Sequence, residues 1–393
     1  MTTTRDLLIS ELSKIPTLNN RYTNVNCINY PPPPGEEKRG NFSLVFKAID
    51  NTTGERVAIK FMDPDGTSDV YRIDCFKREP KIIKQLNGKK RCLQLIEELQ
   101  KFNLEIITAS GSKFPMPFEF FSTDWIEDDI DDYFLAKEDL SPIEKLKLFR
   151  LIVLAIEAIH NNYIFHRDLK PDNIRSDNKQ GTLCAYVIDF GTAAQFDSKK
   201  ILPGYSAQVG ASLYSAPEAF LGFAGERGIA KITDFYALGC ILYELFNKQL
   251  YFDVLINKNT NFLNTLSVLA LELSRETSIE NKLSAWETTL EKLKNTVKPP
   301  DYLEVGCSLP GSISDLITGL FENLIIFDFN KRLTDFDKIR RIVDTAILVL
   351  QNDKLAKKRN DQKRLFKENK IKNIKEKEDK LSSYQTKKGK LLC

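Results

Sequence analysis

Asp168 lies in the run His166-Arg167-Asp168-Leu169-Lys170-Pro171-Asp172-Asn173, which holds the parts of a phosphoryl-transfer loop. A hydroxyl attacking a phosphate must lose its proton and be aimed in line, and a carboxylate on a rigid loop does both. Asp168 is the candidate base. Five positions on, the amide oxygen of Asn173 is a candidate ligand for a divalent cation, and Lys170 between them would offset charge on the phosphoryl group in flight.

One loop is a weak signal until its setting is found in the same chain. Asp189-Phe190-Gly191 follows an apolar run from Leu183 to Ile188 that suits a short buried strand, so Asp189 is a second candidate metal ligand. Upstream, Val57-Ala58-Ile59-Lys60 is a β-branched strand pattern ending in an ammonium that could be aimed at phosphates. Glu79, 19 residues beyond Lys60, falls on a helix expected from about Phe76 to Leu86, where it would pair with that lysine. Ser215-Ala216-Pro217-Glu218 closes the segment opened at Asp189, and Arg332 is a candidate buried partner for Glu218.

In this order, the Val-Ala-Ile-Lys strand, helical Glu, His-Arg-Asp, Asp-Phe-Gly and Ala-Pro-Glu elements resemble the eukaryotic-type protein kinases over roughly residues 20 to 345. The resemblance implies an α+β bilobal protein-kinase-like fold, a small β-rich N-lobe and a larger helical C-lobe. It also implies ATP with magnesium, or manganese as the alternative ion, and protein substrates. Carried over residue by residue, Asp168 becomes the base, Lys60 the contact to the α and β phosphates, and Asn173 and Asp189 the metal ligands. Lys170 resembles the serine/threonine branch. Adenine would touch Ala58 and a hinge at Glu119-Phe120-Phe121, with Phe118 beside the pocket. Arg167, next to the base, resembles the arginine that meets a phosphate on the Asp189–Glu218 segment, for which Ser206, Tyr205 and Ser198 are candidates and Ser206 is favoured.

Several positions depart from the family pattern. In Lys38-Arg39-Gly40-Asn41-Phe42-Ser43-Leu44-Val45 only Gly40 and Val45 match the glycine-rich loop, and Lys38 and Ser43 replace the outer glycines. A stiff Pro31-Pro32-Pro33-Pro34-Gly35 segment precedes it and follows a first strand expected at Arg21 to Ile28. Ala211 stands where serine/threonine kinases carry threonine, and Tyr236 where they carry tryptophan. These changes motivate a second hypothesis, a degenerate kinase acting as a nucleotide- or partner-binding module. A third, a phosphotransferase for small molecules, is opposed by Ala216-Pro217-Glu218 and Lys170.

The elements that must position this chemistry are also legible. Ser141-Pro142-Ile143-Glu144 is a capping box with proline at the first helical position, and an apolar face follows through Ile159. The helix delivers the chain to Asp168, with His160 at its end and His166 bracing the loop, neither acting as the base. A helix from Asp234 is expected to reach Phe246, and the 98 residues from Asp234 to Arg332 leave room for an insertion. Helical patterns at 261–275 and 279–295 fill it, either as packing on the lower lobe or as a docking surface.

The expected organisation is an N-terminal extension (1–20), an N-lobe (21–121), a C-lobe (122–350, with the insertion at about 251–310) and a basic tail (351–393). From Lys354 onward 15 lysines and arginines face five acids, although the whole chain is only +3. This stretch reads as a frayed helix or a disordered arm, a solvated tail or a contact for an acidic partner, nucleic acid or an anionic membrane surface. With 393 residues, a 42% hydrophobic share, seven cysteines without C-x-x-C spacing and no apolar run long enough for a transmembrane segment, the chain reads as a cytoplasmic enzyme.

Overall fold

A computed structural model describes residues 3–32, 43–66, 69–107, 113–130, 140–179, 182–195, 210–223, 226, 228–276, 278–303 and 307–355, with scattered positions between 357 and 368. Gly40, Lys38, the candidate phosphosites Ser198, Tyr205 and Ser206, and most of the basic tail lie outside the described residues.

The chain begins with helix α1 (Thr4–Lys14), whose start is set by a reciprocal capping box between Thr3 and Asp6. The N-terminal segment is therefore more than an extension. Leu8 and Leu12 are fully or almost fully buried in one cluster with Tyr22, Phe46, Phe61 and Phe120. These aromatic residues belong to an antiparallel sheet of β1 (Tyr22–Cys27), β2 (Ser43–Asp50), β3 (Arg56–Met62), β4 (Leu95–Ile107) and β5 (Lys113–Asp124), ordered β1-β2-β3-β5-β4. Strand alternation puts Phe46, Ile59, Phe61 and Phe120 on the face that α1 covers. Val45, Ala58 and Lys60 point the other way and stay partly exposed.

Between β3 and β4 lies helix α2 (Val70–Leu86), which starts six residues before the expected Phe76. The reason is local: Asp69 caps it by accepting the Tyr71 and Arg72 N–H groups, and the apolar run at Phe76 marks only where the helix becomes buried. The lobe crossover is also displaced. Glu119, Phe120 and Phe121 are not a hinge but residues inside β5, where Lys60 pairs with Phe121 and Ala58 with Thr123. Glu119 reaches Lys77 of α2 at 3.5 Å, and Phe121 is fully buried with its ring 5.4 Å from that of Phe76. The strand ends at Asp124, and 125–127 lead to the short strand β6 (Asp128–Asp129), which pairs with the larger lobe.

In that lobe α3 (Pro142–His160) begins at the Ser141–Glu144 capping box and buries Phe149, Ile152, Val153, Ile156 and Ile159. It leads to β7 (Ile164–Phe165), then to the β8 (Ile174–Lys179) and β9 (Thr182–Val187) hairpin, and to β10 (Ala194–Gln195), which pairs back on β7. A short α4 (Pro217–Phe220) precedes the central α5 (Ala230–Asn247), buried along almost its whole length.

Three helices occupy the insertion rather than the two expected: α6 (Tyr251–Lys258), α7 (Phe262–Ser274) and α8 (Ile279–Thr296). Their inner faces pack on the lower lobe, with Trp286 stacked on Phe329 at 4.7 Å and edge-on to Phe223 at 5.5 Å. Helices α9 (Ser314–Leu324) and α10 (336–355) complete the described lobe. Replacing Trp286 by Ala removes the insertion's central anchor and should cost about 3–5 kcal/mol of stability in urea denaturation, the usual range for a buried tryptophan.

Candidate functional site

Two motifs far apart in sequence meet around Lys60. Its Nζ lies 2.7 Å from Glu79 Oε1 and 3.3 Å from Asp189 Oδ1. Strand β3 supplies the lysine, α2 the glutamate, and the turn after β9 the aspartate. Glu79 Oε1 also accepts the Phe190 N–H at 3.1 Å, so one carboxylate fixes both the lysine and the turn after Asp189. Phe190 is fully buried, its ring edge-on to His166.

Burial alone would depress the Lys60 ammonium, but Asp189 and Glu79 outweigh it and hold its pKa above the ordinary lysine value. One cation cannot neutralise both carboxylates, Glu79 buried and Asp189 partly exposed. Burial, with Asp189 as a like charge, pushes Glu79 up to about 7 against the pull of Lys60. Asp189, although desolvated, is held below the usual carboxylate range by Lys60 and then His166.

The catalytic loop is anchored from beneath by Asp234 of α5. Its Oδ2 and Oδ1 each accept at 2.8 Å, from His166 N–H and Arg167 N–H respectively, and His160 Nε2 sits 2.7 Å from Oδ2. Asp234, which in the sequence marks only a helix, thus holds the turn leading to Asp168. His166 Nε2 lies 2.9 Å from the Ile188 carbonyl oxygen, tying the loop to the strand before Asp189. Arg167 and Asp189 have φ of 64° and 63°, a left-handed conformation that non-glycine residues adopt at some cost, held here by these anchors.

Both carboxylate oxygens of Asp168 accept hydrogen bonds. Asn173 Nδ2 donates to the Asp168 carbonyl oxygen at 2.8 Å and to Oδ2 at 3.2 Å, which leaves the amide's Oδ1 as its donor atom toward a cation. Oδ1 of Asp168 accepts the backbone N–H of Ala211 at 2.6 Å. A main-chain donor thus reaches Asp168 at this position, a contact that side-chain comparison does not reveal. Burial pushes the Asp168 pKa up, against Lys170 and His166. Lys170 reaches Asp172 at 3.3 Å; desolvation would lower its pKa, but Asp168 and Asp172 raise it.

Gly210 makes the Ala211 contact available. Its φ is 85°, and a Cβ there would collide with the Arg167 carbonyl oxygen. Further along, Arg332 forms a two-pronged pair with Glu218, both side chains fully buried, and also donates to the Ile232 and Ile326 carbonyls. That pairing, expected from sequence, pins the Ala216-Pro217-Glu218 segment to the lower lobe.

Val45, Ala58 and Lys60 share the sheet face turned toward this cluster, with Val45 opposite Lys60 in register and Ala58 opposite Lys47. Ser43, in a glycine position, is buried at the start of β2, where Asn29 donates to its carbonyl oxygen and accepts the Val45 N–H. Phe121, opposite Lys60 in register, and Glu119 lie on that same sheet face but are taken up by α2, Glu119 by Lys77 and Phe121 by Phe76, and Gly40 is outside the described residues.

A sheet lysine, a helical glutamate and two acidic loops thus meet where the five-stranded sheet faces the helical lobe, a bilobal α+β arrangement. Residues 38–346 match the protein kinase domain family model, and the chain belongs to the protein kinase family. It is similar to cyclin-dependent kinase D-1 of Arabidopsis thaliana, 34% identical over 210 residues, 53% of this chain and 46% of that protein. Probable serine/threonine-protein kinase MARK-C of Dictyostelium discoideum is 31% identical over 204 residues, 52% of this chain and 24% of the relative. Cyclin-dependent kinase 12 of Caenorhabditis elegans is 28% identical over 225 residues, 57% of this chain and 28% of the relative. The matched part thus spans less than half the length of each of these relatives.

Gly210→Ala should displace the Ala211 N–H from Asp168. Loss of one hydrogen bond to a charged group, worth ~1.5 kcal/mol or more, predicts a fall in phosphoryl-transfer kcat of about tenfold or greater, with the KM for ATP little changed in steady-state kinetics.

Proposed function

We propose that this chain is an ATP-dependent protein serine/threonine kinase that transfers the γ-phosphate to protein hydroxyls and phosphorylates itself. The observation that carries the reading is the convergence of Lys60, Glu79 and Asp189 on one side of a cleft with Asp168, Lys170 and Asn173 on the other.

In this reading the substrate hydroxyl gives its proton to Asp168 as its oxygen bonds to phosphorus and the bond from phosphorus to the ADP oxygen breaks. Lys60 holds the α and β phosphates, and Glu79 keeps it extended. Lys170 balances charge on the phosphoryl group. Asp189 and the Asn173 Oδ1 are hard oxygen donors of the kind magnesium accepts when nucleotide phosphates complete its shell, with manganese as the alternative. The bound ion would supply neutralisation of phosphate charge. Val45 and Ala58 would cover the adenine, and residues 124–127 would form the hinge in place of 119–121.

Arg167 and Arg78 bear on activation. Both guanidinium groups are buried and their pKa values lie below the ordinary arginine value, first through burial and, for Arg167, through the neighbouring Arg78 cation. Arg78 Nε and Nη2 have no hydrogen-bond partner among the described residues. A phosphate on the segment between Asp189 and Glu218, with Ser206 favoured, would neutralise this cationic site.

The degenerate reading loses part of its motivation, since the Ala211 backbone reaches Asp168. The small-molecule reading is opposed by the buried Glu218–Arg332 pair, which holds a platform suited to an extended peptide. A recess beside Asp168 is bounded by Ala211, Tyr214, Ser215 and Thr233.

The test is transfer of labelled phosphate from magnesium ATP to the protein itself and to a generic basic protein. Asp168→Asn should lower kcat on the order of 10²–10⁴-fold without lowering the melting temperature, the range for loss of a general base. Label should reside on serine or threonine. Nucleotide binding by the wild-type chain with no transfer to any acceptor would replace this reading with the nucleotide-binding module.

A further inference from the structure

Arg5 of α1 lies far from the cleft in sequence, yet its guanidinium grips the connection between the two elements that hold the Lys60–Glu79 pair. Its Nε donates to Asp63 Oδ1 and its Nη2 to Asp63 Oδ2, both at 3.0 Å, and Nη2 also reaches Asp65 Oδ2 at 2.8 Å. Asp63 is only three residues beyond Lys60, at the end of β3, and is 3% exposed. Asp65 sits in the single turn Pro64–Gly66 ahead of α2, and its N–H donates to Asp63 Oδ1 at 3.2 Å. Arg5 also lies over the Tyr30 ring, 4.8 Å from its centroid.

The clamp is positioned from both sides. Thr3 and Asp6 fix the first turn in which Arg5 lies, and Leu8 and Leu12 anchor the rest of α1 on the sheet's outer face. The sheet is therefore held between α1 outside and the cleft inside, with Arg5 reaching around to the corner where β3 gives way to α2. A planar fork on one carboxylate, with a second carboxylate shared, fixes direction as well as distance.

We propose that α1 is a built-in positioning element for the phosphoryl-transfer site, acting through Arg5 on Asp63 and Asp65 to set the relation of β3 to α2 and so of Lys60 to Glu79. Arg5 is a positioning residue and touches no substrate. Its part in turnover rests on the kinase reading, whereas its part in holding α2 rests on the geometry alone.

The experiment compares the full chain with Arg5→Ala and Arg5→Lys by hydrogen exchange resolved along the sequence, and by kcat and the KM for ATP. The proposal expects faster exchange confined to residues 70–86 in Arg5→Ala and a fall in kcat of about fivefold or more, the lower end of ordinary coupling between sites. Arg5→Lys, which keeps the charge but loses the fork, should fall between the two. Unchanged exchange in 70–86, or exchange raised equally throughout β1 to β5, would overturn it, the latter because it marks a merely structural helix. Absence of phosphate transfer by the wild-type chain would remove the kinase reading while the exchange result still decides the clamp.

Discussion

One ammonium between a buried and a partly exposed carboxylate organises the small lobe and ties it to the large one. Lys60 belongs to the sheet, Glu79 to α2 and Asp189 to the turn after β9, so their contacts can form only when three elements are mutually in place. Burial makes the arrangement stringent, since a desolvated charge with a poor partner costs several kcal/mol. It also leaves an excess of negative charge, seen in the raised pKa of Glu79. Incoming phosphates need a cation already positioned, and a metal ion needs a carboxylate already ionised. In the proposed kinase reading, Lys60 and Asp189 would meet those needs before any ligand arrives.

The second half of the site is held by a different kind of contact. Asp234 receives the main-chain N–H groups of His166 and Arg167, and Asp168 receives that of Ala211, so backbone geometry sets the Asp168 carboxylate. Main-chain donors are insensitive to side-chain identity provided the chain path is kept. The Ala211 N–H needs no hydroxyl to reach Asp168, whereas Gly210, where any Cβ meets the Arg167 carbonyl, is the more demanding position.

What was legible in the sequence follows this division. Asp168, Lys170, Asn173 and Asp189 sit in short runs whose chemistry is local, and the Lys60–Glu79 and Glu218–Arg332 pairs join charges with few other reasons to be buried. The capping box at Ser141 and the amphipathic patterns of α7 and α8 were equally local signals, close to the observed bounds. The hinge was not legible. The run Phe118-Glu119-Phe120-Phe121 is alike in a strand or a linker, and only the pairing with β3, as far as Val57 opposite Asp124, shows that β5 continues to Asp124. The start of α2 depended on Asp69 outside the apolar pattern, and the Ala211 donor has no side-chain signature at all. The N-terminal helix could have been found, because Thr3 and Asp6 bracket a helix start ahead of Leu7, Leu8 and Leu12, but its docking through Arg5 is a tertiary fact.

The most direct measurement is a crystal structure of the chain with magnesium and a non-hydrolysable ATP analogue. The account predicts Lys60 Nζ on α- and β-phosphate oxygens with Glu79 still bound to it, the metal between Asp189 and the Asn173 Oδ1, and the γ-phosphate facing Asp168. A nucleotide bound away from this cleft, or one bound in it with Lys60 turned from the phosphates and no metal at Asp189, would contradict it.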